Sequence, residues 1–208
     1  MKPEKIVVQD GLRPLYRTGS LEGLEVPPVQ PILDALIIQR DDGIVEIGAG
    51  AGHYTLPIAR YLHALGGPGI IYACDFSKTA LEGIDKDAAA RGVAAHVRTV
   101  HLSAVGPRCL PFADEQVQSV LVVNTLQHLA DPTPYLADIA RILTPCGSLL
   151  IADWKRDHHH LQGEPSGPGI APEALYALLD GVGLDVHERL NMEGYSWAVR
   201  AMKPLVLS

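Results

Sequence analysis

An α/β fold is predicted, with a seven-stranded sheet, parallel except for an antiparallel last strand, and helices on both faces. Three observations predict it. Short apolar runs alternate with helical patterns, the mark of βαβ units. A glycine-rich loop, "GAGAG" at 48–52, stands between the first such run and the helix after it. The last two runs are separated only by "NMEG" (191–194), too short for a parallel crossover but sufficient for a hairpin.

The elements follow in chain order. Pro3, Gly11, Pro14, Gly19, Gly23, Pro27 and Pro28 interrupt any period, so residues 1–28 read as an irregular arm or lid and 29–208 as one domain. A helix is expected near 29–39. Strands are expected at 43–48, 69–74, 94–100, 119–123, 147–153, 184–190 and 195–202, and helices at 53–65, 77–91, 132–143 and 172–182. Pro145 and Gly147 are expected to stop the helix that ends near 143.

Composition narrows the function. The 208 residues suit one domain, and 47% apolar content supports a proper core. A net charge of −7 argues against nucleic acid and favours a small-molecule partner. No secretory signal is expected, because no leading apolar segment follows a basic start, and runs such as "SVLVV" are too short for a transmembrane segment. Cys74, Cys109 and Cys146 are scattered, which fits a reduced, cytoplasmic protein.

Gly48, Gly50 and Gly52 lie at alternate positions after a strand and before a helix, where such loops bind ligands. Their spacing is G-x-G-x-G. A dinucleotide fingerprint needs its third small residue where His53 stands. Glu46 precedes the loop, and Asp75 ends the second strand, where an acid can accept hydrogen bonds from ribose hydroxyls.

The run "VEIGAGAGHYT", followed by "IYACDFS", "LPFADEQVQSVLVVNTLQHLADP" and "ILTPCGSLLIADW", resembles the class I S-adenosylmethionine-dependent methyltransferases, most closely the small type 11 and UbiE-like members. The resemblance covers about residues 43–200 and implies a Rossmann-like sheet whose seventh strand is antiparallel and inserted beside the fifth. It implies S-adenosylmethionine as cofactor, S-adenosylhomocysteine as product and a small-molecule methyl acceptor. Glu46, Gly48, Ala49, Gly50, Gly52 and Tyr54 would surround the methionine and ribose, with Glu46 meeting the amino group directly or through water. Asp75 would hold the ribose hydroxyls, with Phe76 and Ser77 toward the adenine. Asn124, Thr125 and Leu126 would lie near the sulfonium and the substrate. Ser103 and Ala104 stand where the family commonly has an acid bonding the adenine amino group, so an uncharged contact is expected there.

Methyl transfer needs alignment and exclusion of water, and a base only where the nucleophile must lose a proton. His128 is the base suggested by its place after the fourth strand; a helix-start histidine bonded to backbone is the other reading. His53 and Tyr54 read as lining or capping residues. Trp154, Lys155 and Arg156 read as packing and surface charge, or as substrate contacts. "DHHHLQ" (157–162) lacks a second ligand cluster, so no metal is expected from His158 and His160. An arsenite-type thiolate chemistry would need three cysteines that are not expected to converge. The arm and the helix at 29–39 form an apolar patch that reads either as a lid or as a homodimer surface. Two competing classes are a cofactor-binding protein without methyl transfer and a nicotinamide-dependent oxidoreductase.

Overall fold

The structure, a computed structural model, describes residues 4–6, 15–17, 29–103, 107–154, 170–190, 192 and 196–205. Within the arm, β1 (Glu4–Ile6) and β2 (Leu15–Arg17) pair antiparallel, a pairing that the surrounding prolines and glycines give no periodic hint of. The main sheet is built from β3 (Gly43–Ile47), β4 (Ile70–Asp75), β5 (Val97–His101), β6 (Val117–Val123), β7 (Leu143–Trp154), β8 (Asp185–Leu190) and β9 (Ser196–Met202). Their order across the sheet is β5-β4-β3-β6-β7-β9-β8; β9 runs antiparallel to both its neighbours, β7 and β8, and the other pairings are parallel. The hairpin expected from "NMEG" is therefore present, with β9 inserted beside β7.

Alternation along the central strands builds two cores. Ile44, Ile71, Leu121 and Leu150 face α1 (Val29–Leu36), α2 (Thr55–Leu65) and α3 (Lys78–Ala90), through Ile32, Ile58, Leu62 and Ile84. Val45, Cys74, Val120 and Leu149 face α4 (Thr133–Ile142) and α5 (Pro172–Gly181), through Leu136, Ile139, Leu175 and Leu179. Strands buried on both faces read as continuous apolar runs, which is why "SVLVV" shows no polar alternation. Fully burying each of these aliphatic side chains contributes about 2 kcal/mol.

Several boundaries differ from expectation, three of them with a local feature to show for it. The helix expected over 29–39 stops at Leu36 because Ile37 takes a left-handed φ of 51°. Residues 94–96 form a 3-10 turn instead of strand, and the buried His96 ring bonds the Gly69 carbonyl at 2.9 Å through Nδ1. The helix preceding β7 ends at Ile142, ahead of Pro145 and Gly147. The chain turns extended at Leu143 and passes through Cys146 at φ 63°, whose N–H donates to the Lys203 carbonyl at 2.9 Å.

Candidate functional site

The strand order reverses at β3, which has β4 on one side and β6 on the other, so a crevice opens beyond their carboxyl ends. The glycine loop leaves β3 into that crevice, and the turn 124–128 leaves β6 opposite it. Gly48, Gly50 and Gly52 all have positive φ, at 78°, 54° and 81°. A Cβ on Gly48 would collide with Thr125 Oγ1, so that glycine is required by the protein itself. Among the described residues, a Cβ on Gly50 would meet only the Gly48 carbonyl, at 3.9 Å, and otherwise open space. The loop is thus pressed against β6 at its start and open to a ligand at its centre.

Two buried acids organise the loop. Asp75 Oδ2 accepts the Gly50 N–H at 2.7 Å, and Oδ1 accepts the Ser77 N–H at 2.8 Å. Each carboxylate oxygen keeps a further lone pair for a hydroxyl donor. Glu46, 2% exposed, accepts the Thr55 hydroxyl. Burial pushes its carboxyl up to about 8; the Thr55 bond works against that shift, and the charge of Asp75 adds to it. Alone, that carboxyl keeps its proton at neutral pH; a cationic partner such as an ammonium beside it would favour the ionised form.

The remaining expected residues fall as follows. Ala49 and Tyr54 are buried, and Tyr54 stacks edge-on with His53 at 4.7 Å just before α2. Burial of His53 pushes its imidazole below the ordinary value. Ser77 caps α3, its hydroxyl accepting the Ala80 N–H at 3.2 Å. Phe76 is half-buried against the α4–α5 core, and its carbonyl bonds His101 Nε2 at 3.1 Å. Ser103 is exposed just beyond β5, one residue after Leu102 donates its N–H to the Asp75 carbonyl at 2.9 Å. Asn124 sits at a left-handed φ of 50°, its N–H held by the Ala152 carbonyl, and its buried Oδ1 has no hydrogen-bond partner among the described residues. Thr125 Oγ1 donates within 3.2 Å of the Ile47 and Val123 carbonyls, and Leu126 is buried. His128 closes the 3-10 turn 126–128, with its N–H on the Thr125 carbonyl at 3.1 Å. The structure therefore brings Glu46, the glycine loop, Asp75, Ser77 and Thr125 together, and sets Asn124, Leu126 and His128 on the facing rim.

Ala104, Lys155, Arg156 and His158–His160 lie outside the described residues, as do most of the arm and of the loop 162–173. Among the described residues no group of three or more His, Cys, Asp or Glu is arranged to hold a metal ion. Cys74 is buried near the carboxyl end of β4, while Cys146 is exposed at the opposite end of the sheet, so the three thiols do not converge. No described helix is long and apolar enough to cross a membrane.

Thr55 and Asp138 were not singled out by sequence reasoning. Thr55 stood unassigned at the end of "GHYT". Asp138 interrupts the buried stripe Tyr135, Ile139, Ile142 of α4, and a charge on an apolar face is the signal that identifies it.

A methyltransferase-domain family model matches residues 45–151. The chain belongs to that family, the class I S-adenosylmethionine-dependent methyltransferases. Among curated relatives, the ubiquinone/menaquinone biosynthesis C-methyltransferase UbiE of Shewanella piezotolerans is 22% identical over 74% of this chain and 55% of its own length. The ubiquinone biosynthesis O-methyltransferase of Parvibaculum lavamentivorans is 29% identical over 67% of this chain and 48% of its own length. The chain thus spans about half the length of the curated relatives it matches. A methyltransferase from Aquifex aeolicus shares the fold, with TM-score 0.72 and 23% identity over 88% of this chain and 92% of that one. Family membership removes the nicotinamide-dependent alternative.

Proposed function

We propose that this chain transfers a methyl group from S-adenosylmethionine to a small-molecule acceptor, leaving S-adenosylhomocysteine. The observation that carries the reading is the open centre of the glycine loop at Gly50, flanked by the buried acids Glu46 and Asp75. The cofactor supplies an activated methyl group on a sulfonium. Glu46 takes the cofactor's amino group, and a cation there draws the carboxyl back to its ionised form. Asp75 accepts from the ribose hydroxyls while keeping its two backbone donors. Phe76 lies beside the adenine, and Ser103 gives an uncharged contact to the purine amino group. Asn124, Thr125 and Leu126 border the reacting centre, where Asn124 Oδ1, unpaired among the described residues, is an acceptor for a donor on the incoming molecule. His128 takes a proton when the acceptor must lose one.

The scattered placement of the three cysteines is consistent with a cytoplasmic setting. The amphipathic α1 is read as a lid or a homodimer surface, and light scattering at two protein concentrations separates these. The cofactor reading is tested by calorimetric titration with S-adenosylhomocysteine, with NAD as control. Saturable binding of the first alone supports it, and binding of neither overturns it.

A further inference from the structure

Glu46 is the one charged residue of β3 and by alternation shares the face of Ile44, toward the core that α2 covers. Its carboxylate meets the first residue of that helix. The Thr55 hydroxyl donates to Oε2, and the Thr55 main-chain N–H also donates to the group. Among the described residues, both donors that reach this carboxylate thus come from one residue, itself fully buried. Tyr54, at the N-cap of α2, makes no side-chain capping bond, so the acid of the strand fills the place of a cap.

The Glu46–Thr55 bond spans the glycine loop, but the loop does not depend on it. The Gly48 and Ala49 N–H groups donate to the Cys74 carbonyl at 2.9 and 3.1 Å. Gly50 N–H donates to Asp75 Oδ2 at 2.7 Å, and Gly52 N–H to the Ala49 carbonyl at 2.8 Å. What rests on the Thr55 hydroxyl is the orientation of the carboxyl group itself. A single N–H donor leaves that group free to turn about one bond, whereas a second donor fixes its plane. A glutamate held in advance spares the ligand the cost of ordering a long side chain. The hydroxyl also favours the ionised carboxylate, the form that suits an ammonium.

We propose that Thr55 is a positioning residue for recognition of the cofactor's amino group: its hydroxyl aims the Glu46 carboxylate at that group without touching the cofactor. The inference rests on the cofactor reading given above and extends it to ligand discrimination by a residue outside the loop.

The test uses the parent, Thr55→Ser and Thr55→Val; the valine keeps the shape and the main-chain N–H and puts a methyl group in place of the hydroxyl. Each is titrated by calorimetry with S-adenosylhomocysteine and with its desamino analogue, in which hydrogen replaces the amino group. The parent should prefer the amino ligand. Thr55→Val should lose about ten-fold in affinity for it, the scale of a hydrogen bond to a charged group, and should bind the desamino analogue as the parent does. Thr55→Ser should keep the parental preference. In a Glu46→Gln background, Thr55→Val should leave the preference unchanged. If Thr55→Val fails to fold, Thr55→Cys, a weaker donor of similar size, carries the test and should show a smaller loss of the same kind. A hydroxyl that merely supports the start of α2 would, when removed, lower the melting temperature and weaken both ligands alike or neither. That result overturns the proposal, as does loss of preference in Thr55→Ser or a further loss in the Glu46→Gln background. A parent that binds both ligands equally overturns it and leaves the cofactor reading standing. A parent that binds neither removes that reading, and this inference with it.

Discussion

Gly48 and Gly50 share a left-handed backbone but answer to different neighbours. At Gly48 a methyl group collides with Thr125, so Gly48→Ala should destabilise the fold by about 1–3 kcal/mol, the range for overpacking a tight contact. At Gly50 the space is open, so the penalty of Gly50→Val is chiefly the left-handed φ, about 1–2 kcal/mol. Its main effect should be loss of S-adenosylhomocysteine binding, because the branched side chain fills the ligand's place. Both variants should therefore lose stability in melting curves, and calorimetry should show Gly50→Val losing the ligand as well. Asp75→Ala removes the acceptor of Gly50 N–H as well as the ribose contact. It should weaken binding by about 1–3 kcal/mol. Unchanged affinity in that variant would place the ribose elsewhere.

At the scale of single elements, α1 ends in a conformation its sequence resists. Ile37 is 60% exposed, so it contributes little packing, yet it is β-branched at φ 51°. Glycine at such a helix end has no Cβ penalty. Ile37→Gly should raise stability by up to about 1 kcal/mol in chemical denaturation; a loss of that size would mean that Ile37 packs on something in solution. The elements themselves were largely legible. Apolar runs and glycine punctuation are local signals, so seven strands and the terminal hairpin could be read directly. Helix ends were less so: Ile37 carries no glycine or asparagine to announce the left-handed turn, and Leu143 continues an apolar stripe while turning extended. Of the site, the glycine loop and Asp75 were legible because both sit at strand ends. The grip of Asp138 and Arg141 on Leu110 was not, because it joins segments 28–31 residues apart through main-chain groups any residue would offer.

For the whole molecule, Glu46 couples stability to pH. Its carboxyl is raised from 4.5 to about 8 in the folded chain, so the folded state holds a proton that the unfolded state has released between those values. The contribution is fully present below about 4.5 and is lost as pH rises toward about 8. The slope from this one group is at most about 1.4 kcal/mol per pH unit. Denaturation of the ligand-free protein across that window should flatten in Glu46→Gln. S-adenosylhomocysteine should stabilise the parent by about 2.7 kcal/mol at a hundred-fold excess over its Kd. The sheet's order carries one more consequence. Because β9 lies between β7 and β8, the 12-residue β7 has an open edge until the last strand of the sheet inserts. A nascent chain emerging from the ribosome would hold its binding crevice nearly complete while still presenting that long apolar edge to other chains. Its vulnerability to aggregation should therefore be concentrated in the interval before β9 is made and pairs.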